Sequence, residues 1–235
     1  MRKVRPQDVR DDFHQLISER LHHFDRVENL LGGTQNEKRD LSILSETTLH
    51  SSYVAFECFL SDLLLAYINR DFSQYQLNLS SKIDASVQTK FGSWASGRTT
   101  FNPLQHITLQ QLESMLDPDS YNLTFKDVAT LKQRFHDWVA APHKTPVVTL
   151  NNSDTQLIDC THAIRNFIAH RSKNAKGIMN VKLSTVSTGP ACPNADLVRG
   201  VREINDIGAY LKTTIAGARR VKTYIKRLQV IAATL

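Results

Sequence analysis

Arg165, Asn166, Ala169 and His170 fall within one six-residue stretch, Arg-Asn-Phe-Ile-Ala-His, and form the best-defined chemical group in the sequence. A guanidinium can hold a phosphate bidentately and stabilise the extra charge of a five-coordinate transition state. An imidazole titrates near neutrality and can move the proton of an attacking hydroxyl or of a leaving oxygen. On a regular helix, a five-residue separation turns by about 140° and rises by roughly 7.5 Å. Arg165 and His170 would then flank Asn166 and Ala169 and leave a shallow saddle over the small Ala169, open to a phosphate or to another protomer's helix. These two groups suffice, in principle, for cleavage of RNA by its own 2′-hydroxyl without a metal.

The segment that must position them, residues 153–173, reads as an amphipathic helix. Ser153 with Gln156 makes a capping-box start. Leu157, Cys160, Ile164, Phe167 and Ile168 gather in one arc of about 100°. His162, Arg165, Asn166, Ala169, His170 and Lys173 occupy the opposite arc, so one face is expected to be buried and the other to carry cations. Upstream, Val9, Phe13, Leu16, Ile17, Leu21, Phe24, Val27 and Leu31 recur at helical steps over residues 6–31 and stop at Gly32-Gly33. A second helix over residues 40–70 becomes densely apolar after Tyr53, as the centre of a bundle would.

From 71 to 103 the apolar period disappears, and this stretch is expected to be an irregular insertion or long excursion. Phe91 and Trp94, lying between Lys90 and Arg98, would stack on unpaired bases or, more commonly, pin such a loop onto the domain. Thr108 and Gln111 form a capping box before Leu109, Leu112, Met115 and Leu116, and Thr124 is placed to cap a helix carrying Val128, Leu131, Phe135 and Trp138. Residues 145–150 and 179–186 are β-prone, the second alternating at Met179, Val181 and Leu183, and are expected to pair as a minor two-stranded ribbon. A last helix is expected over 194–232. The resulting fold class is all-α: one helical domain over 1–235 with an insertion at about 71–103 and a minor β-ribbon.

The 235 residues, 41% hydrophobic and 22% charged, exclude wholesale disorder. Residues 54–68 are the nearest approach to a membrane span but are interrupted by Glu57 and Asp62. Asp11 and Asp12 occupy the place where a secretory signal needs its apolar stretch. Cys58, Cys160 and Cys192 are odd in number and far apart, which favours neither a disulfide framework nor a zinc ribbon. A cytoplasmic protein with no membrane association is expected. The nine histidines show no His-Glu-x-x-His spacing, and phosphate-binding glycine loops are missing from the sequence. Neither a metal nor a cofactor is therefore expected. From Ala209 to the last residue there are six basic residues and no acidic one, equal to the chain's net charge of +6. Arg219, Arg220, Lys222, Lys226 and Arg227 are accordingly candidates for holding a polyanion by charge, without reading sequence.

Arg165-Asn166-x-x-Ala169-His170, on an amphipathic helix late in a helical chain, resembles the R-x(4–6)-H signature of the HEPN superfamily. The apolar helix containing Tyr53 and Glu57 is similar to that family's second helix, especially in branches related to RiboL-PSP-type HEPN domains. The bundle resemblance spans most of the chain, but its diagnostic pattern rests on six residues. It implies a metal-independent endoribonuclease acting as a toxin or antiviral-defence effector, and a homodimer that brings two motifs together as a composite site. Arg165 and His170 would be catalytic, with Asn166 orienting the phosphate or the histidine. Arg171, Lys173, Arg219, Arg220 and Lys222 would add affinity for the RNA substrate. Toxins of this family that are paired with a nucleotidyltransferase carry a tyrosine two residues after the motif histidine. Here that position is Ser172, which puts control by modification there in doubt and leaves open another antitoxin or regulatory partner. The alternative is a non-catalytic HEPN-like module that binds RNA or a protein.

Overall fold

The computed structural model describes residues 4–100, 102, 104, 107–117, 123–141, 143–184, 203–215 and 217–235. Its described part contains eleven helices and one two-stranded ribbon, an all-α architecture with minor β content. The chain divides into two compact units. One comprises Met1–Val9 and Leu60–Thr149, the other Arg10–Phe59 and Leu150–Leu235.

Helices α1 (Pro6–Leu31) and α2 (Glu37–Arg70) follow the apolar periodicity closely. Phe13, Ile17, Leu21 and Phe24 of α1 are buried at three- and four-residue steps, and Gly33 at φ 77° ends the helix region in the left-handed conformation glycine favours. By length and composition α2 could cross a membrane, yet 72% of its most apolar window is buried inside the protein.

The unit containing residues 60–149 holds the end of α2, α3 (Ser73–Phe91), α4 (Ser93–Ser96), α5 (Leu109–Leu116), α6 (Val128–Trp138) and α7 (Thr145–Val148). Leu63, Leu64, Ile68, Leu112, Leu131 and Phe135 make its core. The Thr108–Gln111 capping box forms as expected. The helix after it is capped by Asp127, whose carboxylate accepts from the Thr130 backbone N–H at 2.7 Å, rather than by Thr124. The stretch expected to be irregular is largely helical. Only Tyr75 of α3 is buried, and its apolar residues form a single thin row at four-residue steps, Tyr75, Leu79, Ile83, Val87 and Phe91, diluted by the Ser, Gln and Asn between them.

The unit containing Arg10–Phe59 and Leu150–Leu235 adds α8 (Asn152–His170), α9 (Lys173–Ser184), α10 (Ile207–Lys212), β1 (Thr214–Ile215), β2 (Ala218–Arg219) and α11 (Arg220–Thr234). Phe24, Leu49, Phe56, Ile164, Tyr224 and Leu228 lie at its centre. The ribbon forms elsewhere than expected: Thr214 pairs with Arg219 and Ile215 with Ala218. The two β-prone runs are instead helical, as α7 and within α9, with 185–186 outside the described residues. In α9, Met179 and Leu183, one turn apart, are buried, while Val181 between them is 61% exposed; a strand would have put all three on one face. The expected single last helix is two, α10 and α11, separated by the ribbon and Gly217 at φ 81°, and its start over 194–202 lies outside the described residues.

Candidate functional site

Helix α8 carries the motif and begins two residues earlier than the expected capping box allows. Asn151, not Ser153, is the N-cap, its side-chain oxygen accepting from the Asp154 N–H at 2.8 Å. Asp154 is thereby placed to bind the Arg227 guanidinium at 2.6 Å. Leu157, Cys160, Ile164 and Phe167 are buried as the apolar arc requires. The Cys160 thiol donates to the Lys182 carbonyl, and burial pushes its pKa up to about 12, so it is an inert core group; Cys58 is exposed. Cys192 lies outside the described residues.

On the other arc, Arg165 meets Glu57 of α2, Nη2 to Oε2 at 2.9 Å, with the two side chains 25% and 15% exposed. Its Nη1 donates to Asn166 Oδ1 at 2.8 Å. Because a guanidinium only donates, the Asn166 oxygen must face it, which turns the amide NH₂ toward His162 Nε2, 3.0 Å away. That nitrogen must then accept, so the neutral His162 ring carries its proton on Nδ1. The His162 ring stacks on Tyr53, centroids 5.8 Å apart and planes 16° from parallel, and its Nε2 lies 3.9 Å from Glu57 Oε1. Burial raises the Glu57 carboxyl above its ordinary value, with Arg165 pulling it back. Burial, reinforced by Glu57 and Asp159, pushes Tyr53 well above its ordinary value, so its hydroxyl stays protonated at neutral pH. Burial, then the charge of Arg165, depresses the His50 imidazole.

The site is thus a network of Glu57, Arg165, Asn166 and His162, backed by Tyr53 and His50. Glu57 has a sequence signal in its helix, whereas His50, Tyr53 and His162 were not singled out for function. The missed signal is the repetition of polar groups at helical steps on two apolar helices: 50, 53 and 57 on α2, then 162, 165 and 166 on α8. Arg165 Nε is buried without a partner, and each Nη carries a second hydrogen besides the one it gives to Asn166 or Glu57, so the guanidinium has donors to offer an anion.

His170 is the last residue of α8 and is exposed. The chain turns at Arg171, which adopts a left-handed φ of 50°, pairs with Glu46 and lies over the Phe167 ring at 5.4 Å. Lys173 is exposed at the start of α9. The expected basic field of the last segment is partly neutralised by acids from elsewhere. Arg219 pairs with Glu28 and Lys222 with Asp25, both at 2.5 Å, while Arg220 stacks on Tyr210 at 4.1 Å. Arg165 and Asn166 are therefore brought together, whereas Arg219, Arg220 and Lys222 are engaged away from them by α1 and Tyr210. No family model matches this chain, and no curated protein or solved structure matches it.

Proposed function

We propose that this chain is a metal-independent endoribonuclease of HEPN type that works as a homodimer, as a toxin or defence effector. One observation carries the reading: Arg165 is held by Glu57 and Asn166 on the helix face that ends in the exposed His170. A guanidinium fixed before substrate arrives stabilises developing phosphate charge without reorganising during the reaction. In the reaction, a base removes the proton from the 2′-hydroxyl, whose oxygen attacks the adjacent phosphorus. The P–O5′ bond breaks, an acid protonates the leaving 5′-oxygen, and a 2′,3′-cyclic phosphate and a 5′-hydroxyl remain.

Arg165 binds the phosphate and His170 transfers a proton. One imidazole cannot act as base and acid in the same step, and a second protomer's motif supplies the other, in keeping with an isologous two-fold interface. Arg171 and Lys173, beside the motif, contribute affinity. Arg219, Arg220 and Lys222 contribute only long-range charge, because acids or an aromatic ring already engage them.

Purified protein incubated with labelled RNA in EDTA, beside His170→Ala and His162→Gln, tests the reading. Cleavage by the wild type that is lost in His170→Ala and leaves cyclic-phosphate ends is the expected outcome. Loss only in His162→Gln moves the proton-transfer role to the histidine inside the network. Equal cleavage by all three proteins refutes the assignment. The non-catalytic alternative predicts salt-dependent RNA binding that His170→Ala leaves unchanged.

A further inference from the structure

Helix α3 starts on its unit's core, where Tyr75 packs against Phe72 and edge-on against Trp138. Beyond residue 80 almost every position is exposed. Lys82, Ile83, Ser86, Val87, Lys90 and Phe91 recur at helical steps and line a shallow groove on one side of the helix. Gly92 then turns the chain, with φ 82° and ψ 171°, a conformation essentially reserved for glycine, and α4 follows. Ser96 Oγ donates to Asp84 and ties α4 back onto α3. The result presents Phe91 and Trp94 to solvent at 72% and 71% exposure. They do not pin a loop onto the domain, which was the commoner expectation for such residues.

The Arg98 guanidinium lies 4.2 Å over the Trp94 ring and donates to the Trp94 carbonyl, leaving the opposite ring face without this cover. Between Phe72 and Leu104 there are three basic residues and one acid, and that acid, Asp84, already accepts from Ser96. Asp137 is close enough to Lys82 to feel its charge, which leaves Lys90 and Arg98 as the cations nearest the two rings.

We infer that the α3–α4 face binds unpaired RNA, stacking bases on Phe91 and Trp94 and holding phosphates with Lys90, Arg98 and, more weakly, Lys82. Flat apolar rings alternating with cations match a strand in which flat bases alternate with phosphates. The interspersed Ser, Thr and Gln side chains supply hydrogen bonds that an apolar partner could not return. A membrane-surface helix would carry an apolar face kept apart from its cations, whereas this side of α3 interleaves Ile83, Val87 and Phe91 with Lys82, Ser86 and Lys90. The inference rests on the endoribonuclease reading for the identity of the polyanion, and it narrows the substrate class to single-stranded or looped RNA.

Trp138→Phe leaves Trp94 as the sole tryptophan, so its emission reports this face alone. The ligand is a 2′-O-methylated single-stranded oligonucleotide, which cannot be cut because its 2′-oxygen carries no proton. Quenching of Trp94 is expected, with affinity roughly tenfold lower in Phe91→Ala. Lys90→Gln should flatten the slope of log affinity against log salt by about 0.7. A matching duplex should quench far less. Emission that ignores the oligonucleotide overturns the inference, as does emission that responds only to vesicles of anionic phospholipid. Cleavage of unmodified RNA is measured separately in EDTA. Quenching without cleavage leaves this face standing and removes the nuclease reading, while cleavage with a silent Trp94 does the reverse.

Discussion

Replacing Arg165 by Met keeps most of the side-chain stem but removes the charge facing Glu57. Exposed ion pairs contribute about 0–1 kcal/mol, and losing one partner of a fully buried pair costs about 3–5 kcal/mol. With side chains 25% and 15% exposed, this pair falls between those limits, so a loss of about 2 kcal/mol is expected at neutral pH. For a chain of this size that corresponds to a fall in Tm of roughly 4–8 °C. The loss must also depend on pH in a definite direction. Burial already raises Glu57 above its ordinary value of 4.5, and Arg165 opposes that rise. Without Arg165 the carboxyl rises further, so the folded chain binds its proton more tightly than the unfolded chain does. Stability then falls as pH increases from the ordinary carboxylate value through the raised one, and it recovers on acidification as the carboxyl is neutralised.

Glu57→Gln in the Arg165→Met background removes the uncompensated charge and should restore about 1–2 kcal/mol, while cleavage, which requires the guanidinium, stays lost. Urea denaturation followed by circular dichroism at about pH 5 and pH 7 measures all four corners of the cycle. A deficit of equal size at both pH values, or no recovery in the double variant, refutes the view that Glu57 holds Arg165 by charge. The double variant also separates function from folding, since a stable but inactive protein cannot owe its inactivity to unfolding.

His170→Ala should shift stability by less than about 0.5 kcal/mol, because the residue is exposed at a helix end, while slowing cleavage by about 10²- to 10⁴-fold; denaturation and single-turnover cleavage together check this. Gly208→Ala would place a Cβ 2.8 Å from both Ser42 Cβ and Glu46 Oε1, and should cost about 1–3 kcal/mol, read from the urea midpoint. Because the His50 imidazole is depressed, the unfolded chain takes up that proton first on acidification. Stability is therefore full above 6.5 and falls as pH drops through the lowered folded value, and His50→Gln should flatten that slope in a pH series of urea midpoints. Cys58 should be alkylated by iodoacetamide in the native protein while Cys160 is protected until unfolding, as peptide mass mapping would report.

Features that depend on burial periodicity and local capping are legible in the chain before it folds. Residues 6–31, the apolar heart of α2 and the buried arc of α8 are legible because a stripe at 3.6-residue spacing has one physical use, to face a core. The Thr108–Gln111 cap is legible because all of its partners lie within one turn. Arg165 and Asn166 were legible as a motif because residue type and spacing alone define it. What needed partners from distant segments was not. The helix α3 has a thin four-residue repeat, Tyr75, Leu79, Ile83, Val87 and Phe91, set among Ser, Gln and Asn, and only Tyr75 of it is covered, while the alternation at 179–183 imitated a strand because Val181 points to solvent on a helix. The final cationic segment reads as a strong field only until Asp25, Glu28 and Asp154 are brought against it. Likewise, the pairing of Glu57 with Arg165, and the orientation of Asn166 that sets the His162 tautomer, arise only where α2 meets α8. Helical spacing places polar groups on a face, and the packing of one helix on another decides which of them touch.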